Sequence, residues 1–306
     1  DTLCDIKRNV TLDPIEFPEP VLSMAVVPKA KGDEEKISQG LSKLMEEDKT
    51  LKVETNTETR ETILSGMGEQ HLNVISSKLL GKFGVGIDIK EPKIAYREAI
   101  TKKVKVEGKH KKQSGGHGQY GHVWIEFEPC ESDDLVFEEK VFGGSVPKNY
   151  FPAVEKGIKE SMQKGVVAGY PVVNLKATLL DGSYHPVDSS EMAFKTAASI
   201  CCKNGFSQAS PVILEPIGML KAIVRNDYTG DVTGDINKRR GRILGMTPNE
   251  DNTTIIEALV PCSEMTKYAT DLRAMTNGRG SFTFAADHYE EVPPHLVDKI
   301  KESAEM

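Results

Sequence analysis

The sequence has few aromatic residues, no long apolar run and no pattern of paired cysteines. Of its 306 residues, 6% are aromatic, 38% are hydrophobic and 28% are charged. No apolar run approaches ~18 residues, which argues against a membrane-spanning helix. The five cysteines include the neighbours Cys201 and Cys202 and form no C-x-x-C pair. This usage is typical of a reducing compartment and argues against a disulfide framework or a structural zinc site. We therefore expect a cytoplasmic chain of two or three globular domains.

The sequence also lacks the usual phosphate-binding motif, and its overall charge is acidic. G-x-x-x-x-G-K-[ST] does not occur, so we predict no P-loop. The formal net charge of -7 argues against a general nucleic-acid coat but leaves room for local basic patches. Six lysines lie within Lys102–Lys112, and Lys238–Arg242 is a second basic run. Because the chain begins at Asp1 with what resembles the end of a strand, we expect a fragment of a longer protein.

A glycine-rich segment follows the lysine cluster. Residues 113–122 read Gln-Ser-Gly-Gly-His-Gly-Gln-Tyr-Gly-His, which is incompatible with the interior of a helix or strand. After this segment, the alternation of Val123, Ile125 and Phe127 with outward-facing residues predicts a strand. We therefore expect a basic strand, a tip loop and a return strand. A loop of this composition usually exists to be inserted into a binding partner.

Two stretches with the same predicted order of elements flank this region. From Pro20 to Lys90, the pattern predicts β-α-β-β-α-β, with helices over 33–47 and 69–82 and Gly84 just beyond the second helix. The same order returns from Met219 to His288, with helices over 228–238 and 263–276. Each stretch therefore predicts a split β-α-β sandwich, in which a four-stranded sheet carries two helices on one side. A last amphipathic helix is predicted over 295–304.

A second candidate loop, Asp181–Asp188, lies in the middle unit between a strand predicted over 172–180 and a helix predicted over 189–204. Ser189 or Ser190 would cap this helix, with Met192, Ala193, Thr196 and Ala197 facing inward. Metal binding by His110, His117 and His122, or by Asp181, His185, Asp188 and Glu191, matches no known ligand spacing. A triad of Ser189 or Ser190 with His185 and Asp188 is too compact in sequence. RNA contact by lysines and aromatic side chains is favoured over a mobile hairpin with solubilising lysines.

Longer motifs are spread along nearly all of the chain. In chain order they are Pro14-Ile15-Glu16-Phe17-Pro18-Glu19-Pro20, Ser65-Gly66-Met67-Gly68-Glu69 with His71-Leu72, Tyr96-Arg97-Glu98, the glycine-rich segment, Asp181–His185 with Val187–Glu191, Gly234–Gly241, Tyr268–Arg273 and Gly278–Gly280. This set resembles domains three to five, the C-terminal portion, of bacterial translation elongation factor G. His117, Pro186 and Gln70 stand where that factor ordinarily has Arg, Asp and Leu. In these positions the chain resembles a paralogous, elongation factor G-like branch.

The resemblance implies an α+β fold in which two ferredoxin-like split β-α-β sandwiches flank an elongated domain with a left-handed β-α-β crossover. The implied limits are 1–13 for the remnant of a preceding β-barrel domain, 14–92 for domain III, 93–215 for domain IV, and 216–306 for domain V with its C-terminal helix. Linkers are expected near Glu91-Pro92 and Glu215-Pro216. GTP and magnesium would bind an N-terminal domain outside the chain, so we expect no cofactor and no enzymatic activity in the chain alone.

The resemblance also implies a function, which is to bind the ribosome as part of a translational GTPase and to promote tRNA–mRNA translocation. Loops 114–121 and 182–187 would enter the decoding centre of the small subunit, and the last domain would lie near the sarcin-ricin loop of the large subunit. The implied RNA- or ribosome-binding residues are Lys109, Lys111, Lys112, Ser114, Gly115, Gly116, His117, Gly118, Gln119, Tyr120, Gly121, Ser183, Tyr184, His185, Pro186, Arg273 and Thr276. We expect no catalytic residue, no metal ligand, no membrane contact and a monomer. Two alternatives stay open, namely a ribosome-protection or rescue factor of the same superfamily and a metal-dependent hydrolase built on Asp181–Glu191.

Overall fold

The computed structural model describes residues 4–5, 7–113, 118–132 and 134–305. In chain order its elements are β1 (Leu22–Pro28), α1 (Glu34–Glu47), β2 (Lys52–Asn56), β3 (Glu61–Gly66), α2 (Glu69–Phe83), β4 (Ile87–Lys90), β5 (Arg97–Ile100), β6 (Val104–Lys112), β7 (Gln119–Pro129), β8 (Val136–Glu139), α3 (Phe151–Met162), β9 (Leu175–Ser183), α4 (Glu191–Gln208), β10 (Pro211–Arg225), α5 (Thr229–Lys238), β11 (Arg242–Pro248), β12 (Thr253–Pro261), α6 (Tyr268–Met275), β13 (Ser281–Glu291) and α7 (Pro294–Glu305). They pack into two compact units. Unit 1 contains the chain up to Ala95 together with Ile217–His288, and unit 2 contains Tyr96–Pro216 together with the chain from Tyr289 onward.

The first sandwich of unit 1 is built from β1 to β4 and the helices α1 and α2. Its strands are ordered β2-β3-β1-β4, with antiparallel pairing between all neighbours. Leu41, Leu44, Leu72 and Leu79 from the two helices are buried in one core with the sheet. Gly84 ends α2 in the left-handed conformation with φ 69°, which glycine adopts without steric cost. The predicted order and the split β-α-β fold are confirmed for this stretch.

The second sandwich of unit 1 repeats this topology, with strands ordered β11-β12-β10-β13. Its helices are α5 and α6, but the prediction of one helix over 263–276 was wrong. Cys262–Glu264 forms a 3₁₀ turn, and α6 begins only at Tyr268. The carbonyl of Glu264 accepts a hydrogen bond from the Arg239 guanidinium at 2.6 Å, while the Tyr268 N–H bonds Met265 instead. An arginine therefore takes the acceptor that a continuous helix would need.

The linker expected near Glu215-Pro216 stays a prediction: both residues lie inside β10, and the boundary between the two compact units falls between Pro216 and Ile217. Within unit 2, the first residues of this strand pair with β5 in antiparallel register, from Pro211 opposite Ile100 to Leu214 opposite Arg97. Ile213, Val292 and Ile300 are buried together, and Leu296 and Val297 of α7 pack against them. None of the described helices is both long and apolar enough to cross a membrane.

The main sheet of unit 2 has the order β6-β7-β9-β8. The pairs β6–β7 and β7–β9 are antiparallel, whereas β8 and β9 are parallel and α3 connects them along the chain. Val123, Ile125 and Phe127 are fully buried, as their alternation predicts. A Cβ atom on Gly108 would lie 2.2 Å from the Ala197 carbonyl oxygen of α4. The helix can therefore lie directly against the sheet only because this strand position is glycine. The left-handed crossover and the predicted domain limits stay predictions.

Candidate nucleic-acid interface

Two loops lie at the same end of the main sheet of unit 2. The first tip loop, residues 113–118, joins β6 to β7, and the second tip loop, Tyr184–Ser190, joins β9 to α4. The register places Lys112 opposite Gln119 and His122 opposite Ser183, so the three strands end together. The predicted site residues Ser114, Gly115, Gly116 and His117 lie outside the described residues. The loop region around them is therefore defined by its described flanks and by the second tip loop.

Asp188 and Ser189 connect the two tip loops through hydrogen bonds to Gly118 and Tyr120. The backbone N–H of Gly118 donates to Asp188 Oδ1 at 3.0 Å, and the N–H of Tyr120 donates to the Asp188 carbonyl at 2.9 Å. The Ser189 hydroxyl donates to the Tyr120 carbonyl at 2.9 Å and accepts from the His185 N–H at 2.9 Å. The sequence reasoning did not assign this connecting role to Asp188 and Ser189. A short acidic residue and a serine just before a helix are more often caps, so the signal was ambiguous.

His185, Tyr184 and Pro186 are accessible on the second tip loop. The His185 side chain is 53% exposed, and its Nδ1 lies 3.3 Å from Asp188 Oδ2 and accepts from the Asp188 N–H at 3.2 Å. The ring is thereby oriented by its own loop through Nδ1. Tyr184 is 48% exposed and adds an aromatic surface beside it.

Lysines and aromatic rings share the exposed face of the sheet next to the tip loops. Lys109 stands opposite His122, and Lys111 stands opposite Tyr120, on the face turned away from α4. The Tyr120 hydroxyl and His122 Nδ1 both lie 2.7 Å from the Ser183 hydroxyl. Lys112, one residue further, ends β6 beside Gln119, whose side-chain oxygen lies 3.0 Å from His110 Nε2. Amines beside hydrogen-bonded aromatic rings are the groups that hold phosphates and bases.

Three of the predicted site residues have structural contacts away from the tip loops. Gly121 is buried, and a Cβ atom there would lie 2.4 Å from the Ala193 carbonyl of α4. Thr276 is fully buried, donates to the Leu272 carbonyl and accepts from the Gly280 N–H. Arg273 donates to the Met67 carbonyl at 2.6 Å within unit 1. Gly121 and Thr276 are thus closed to direct contact with a partner in this conformation.

The acidic cluster that suggested a metal site is engaged in hydrogen bonds. Asp181 Oδ1 accepts from the Ser145 hydroxyl at 2.6 Å and from the Gly182 N–H at 2.8 Å. These two bonds hold the pKa of the Asp181 carboxyl below its ordinary value. Ser190 caps α4 by accepting from the Ala193 N–H at 3.2 Å. In the part of the chain that the structure describes, no group of three or more His, Cys, Asp or Glu side chains could hold a metal ion.

Two further details differ from the sequence predictions. Met192 was predicted to face inward but is 63% exposed, because Ala193, Phe194 and Ala197 fill the buried side of α4. In the second basic run, Arg239 pairs with Asp235 and Asp271 and stacks its guanidinium over Tyr268. Arg240 pairs with Glu264 at 3.1 Å. These arginines therefore stabilise unit 1 and are poorly placed to form a basic patch for nucleic acid.

Comparisons with known proteins agree along nearly the whole chain. The family described as Elongation Factor G, domain III matches residues 17–91, Elongation factor G, domain IV matches residues 92–210, and Elongation factor G C-terminus matches residues 212–300. A crystal structure of a protein from Thermus thermophilus is 42% identical, with a TM-score of 0.84. The match covers 97% of this chain and 45% of that protein, so the chain spans less than half of its relative's length. The chain belongs to the elongation factor G family and comprises its domain III, domain IV and C-terminal region.

Proposed function

We propose that this chain is the ribosome-contacting part of an elongation factor G-like translational GTPase that promotes tRNA–mRNA translocation in the cytoplasm. The observation that carries the proposal is the hydrogen-bonded pair of tip loops, which presents His185 and Tyr184 beside the lysines of β6. Amines, an imidazole and an aromatic surface at one end of a sheet suit contact with an RNA-lined site. Family membership independently supports a ribosomal partner.

In this proposal the tip loops enter the decoding centre and hold tRNA and mRNA in the position reached after translocation. Lys109 and Lys111 neutralise phosphates, His185 donates a hydrogen bond from Nε2, and Tyr184 stacks on a base. Because Asp188 and Ser189 hold the second tip loop before contact, ordering this loop costs little conformational entropy on binding. The sequence has no P-loop, so the GTP and magnesium of the whole protein would be bound outside this chain. The chain's own contribution is mechanical and it would act as a monomer.

Two variants of the full-length protein test the proposal, with controls in α7. His185→Ala should slow translocation by about tenfold, the effect of losing one hydrogen bond to a charged group. The double variant Lys109→Ala/Lys111→Ala should reduce the slope of log affinity against log salt by about 2, one for each lost phosphate contact. His295→Ala and Lys299→Ala remove exposed side chains of the same types from α7. These two controls should leave both measurements unchanged.

The results also separate translocation from the remaining alternative within translation. Ribosome affinity, salt slope and translocation rate that are unchanged in both tip variants would refute the proposal. A full-length protein that binds the ribosome and displaces a bound ligand without advancing mRNA would instead be a protection or rescue factor. Since translocation and displacement are measured on the same complexes, one series of experiments decides between them.

We further propose that the chain belongs to the specialised, elongation factor G-like branch of the family. His117 stands where the family ordinarily has arginine, and a neutral imidazole holds phosphate less strongly than a guanidinium does. His117→Arg should therefore tighten ribosome binding and steepen its salt dependence. Weaker or unchanged binding by this variant would contradict the proposal.

A further inference from the structure

A third segment of unit 2 contacts the end of β9 and reaches the last residues of the second tip loop. This side segment, Lys140–Tyr150, follows β8 and leads into α3. Its Lys140 N–H donates to the Leu179 carbonyl at 2.8 Å, before the loop begins. The Ser145 hydroxyl donates to Asp181, and the Tyr150 hydroxyl donates to the Ser189 carbonyl at 3.3 Å, where the loop ends. The side segment is thus hydrogen-bonded to β9 through its first residue and its middle, and to the second tip loop through its last residue.

The fastening is reinforced by close packing between the side segment and β9. Val146 is 1% exposed, and a Cβ atom on Gly182 would lie 2.5 Å from Val146 Cγ2. Val141 also packs against the core of unit 2. Apolar side chains on both sides of residue 142 are therefore anchored, so the position of this residue relative to the second tip loop is fixed by the fold.

Phe142 itself is 92% exposed, although Val141 directly before it packs against the core of unit 2. The next two residues, Gly143 and Gly144, have φ values of 65° and 69°. This region is costly for residues with a side chain, and the two glycines turn the chain so that it leads back to the buried Val146. An aromatic ring held in solvent on an anchored segment offers a complete face for stacking.

Two lysines are exposed on the segment that carries Phe142. They are Lys148 and Lys140, whose Nζ lies 3.6 Å from the carboxylate of Glu138, and no acidic residue occurs between Lys140 and Tyr150. An anchored aromatic ring flanked by lysines is the arrangement by which proteins hold single-stranded nucleic acid. We propose that the side segment is a third RNA-contacting element, in which Phe142 stacks on an unpaired base while Lys140 and Lys148 contact phosphates. This inference rests on the proposed function, and it adds the side segment with its aromatic residue to the surface that contacts the ribosome.

The test compares three variants of the full-length protein by their affinity for ribosomes. Phe142→Ala should weaken binding by about tenfold, equal to about 1.4 kcal/mol, which lies within the range for one stacked base. Phe142→Trp should retain the affinity, because it keeps an aromatic face. Phe17→Ala removes an exposed phenylalanine from unit 1 and should change nothing. Since the Phe142 ring is almost fully exposed, all variants should unfold at the temperature of the wild type.

A second measurement identifies the partner directly. A photo-reactive benzoylphenylalanine in place of Phe142 should form its crosslinks with RNA, whereas crosslinks confined to a ribosomal protein would overturn the inference. Unchanged affinity in Phe142→Ala, combined with weakened binding by Lys109→Ala/Lys111→Ala, would also overturn it and leave the proposed function intact. Wild-type protein that fails to bind ribosomes would refute both proposals.

Discussion

Replacing Ser189 by alanine should release the second tip loop without unfolding the domain around it. The hydroxyl is the shared partner of the Tyr120 carbonyl and the His185 N–H, at 2.9 Å each. Alanine leaves both backbone groups without this partner. The contacts made by Asp188 to Gly118 and Tyr120 do not involve the hydroxyl. We therefore expect a loosened second loop that stays attached to the first one through Asp188.

The size of the effect follows from the number of hydrogen bonds lost. Each contributes about 0.5–1.5 kcal/mol net, so the two together should stabilise the closed loop by about 2 kcal/mol. That free energy corresponds to a ratio of closed to open loop of roughly 30. Because the loop is on the surface and other contacts of Asp188 persist, the loss should appear as local opening. The global free energy of unfolding should change by less than this amount.

Amide hydrogen exchange resolved to single residues measures this opening. In Ser189→Ala, exchange at His185 should accelerate by about 30-fold, whereas exchange in the buried strand β7 should not change. The neighbouring Ser190→Ala is a matched control, because its hydroxyl accepts from the Ala193 N–H instead. This control should accelerate exchange at Ala193 and leave His185 as in the wild type. Unaltered exchange at His185 in Ser189→Ala would refute the inference that the Ser189 hydroxyl holds the second tip loop closed.

Three further predictions concern the framework that carries the tip loops. Gly121→Ala would place a Cβ atom 2.4 Å from the backbone of α4 and should lower the free energy of unfolding by about 2 kcal/mol or more in urea titrations. Gly81→Ala, a helical position with nothing within 4 Å, should instead raise it by about 0.5–1 kcal/mol. Glu98 accepts hydrogen bonds from four backbone N–H groups, those of residues 167–170. Glu98→Gln should therefore lower the free energy of unfolding by about 3 kcal/mol, as measured by thermal unfolding. Glu131→Gln, at an exposed position, should leave it unchanged. Burial raises the pKa of the Cys201 thiol from 9.0 to about 12, so the unfolded state loses this proton first as pH rises. Between pH 9.0 and about pH 12, the free energy of unfolding of the wild type should fall more steeply than that of Cys201→Ala. Urea titrations at each pH measure this difference.

Local sequence patterns predicted a helix or strand correctly where its limits depend on residues within the element and directly beside it. The apolar spacing of α1 and α2 and the glycine after α2 were sufficient for the first sandwich. The helix predicted over 263–276 failed because Arg239, distant in sequence, binds the Glu264 carbonyl. The apolar pattern also missed the first residues of β10, Pro211–Leu214, which pair with β5. In both cases a partner far along the chain decided the local conformation, and no window of sequence contains that information.

The candidate site was predictable in location but not in its internal connections. Glycine content and lysines located the first tip loop, the predicted strand and helix around Asp181–Asp188 located the second, and the resemblance supplied their role. That Asp188 and Ser189 bind the first loop depends on how α4 lies on the sheet. Phe142 carried no sequence signal, because an isolated apolar residue beside two glycines reads equally well as a turn with a buried anchor. Only its exposure of 92% distinguishes the two interpretations.

The position of α4 links the core of unit 2 to the geometry of the tip loops. Asp188 and Ser189 immediately precede this helix, whose N-cap is Ser190. Gly108 and Gly121 let the helix backbone approach the sheet, since a Cβ atom on either would lie 2.4 Å or less from a carbonyl oxygen of α4. If α4 moved away from the sheet by the width of one methyl group, Ser189 would move away from the Tyr120 carbonyl. The hydrogen bond of 2.9 Å between them would then break. The buried glycines of β6 and β7 therefore determine whether Ser189, and with it His185, is held in place.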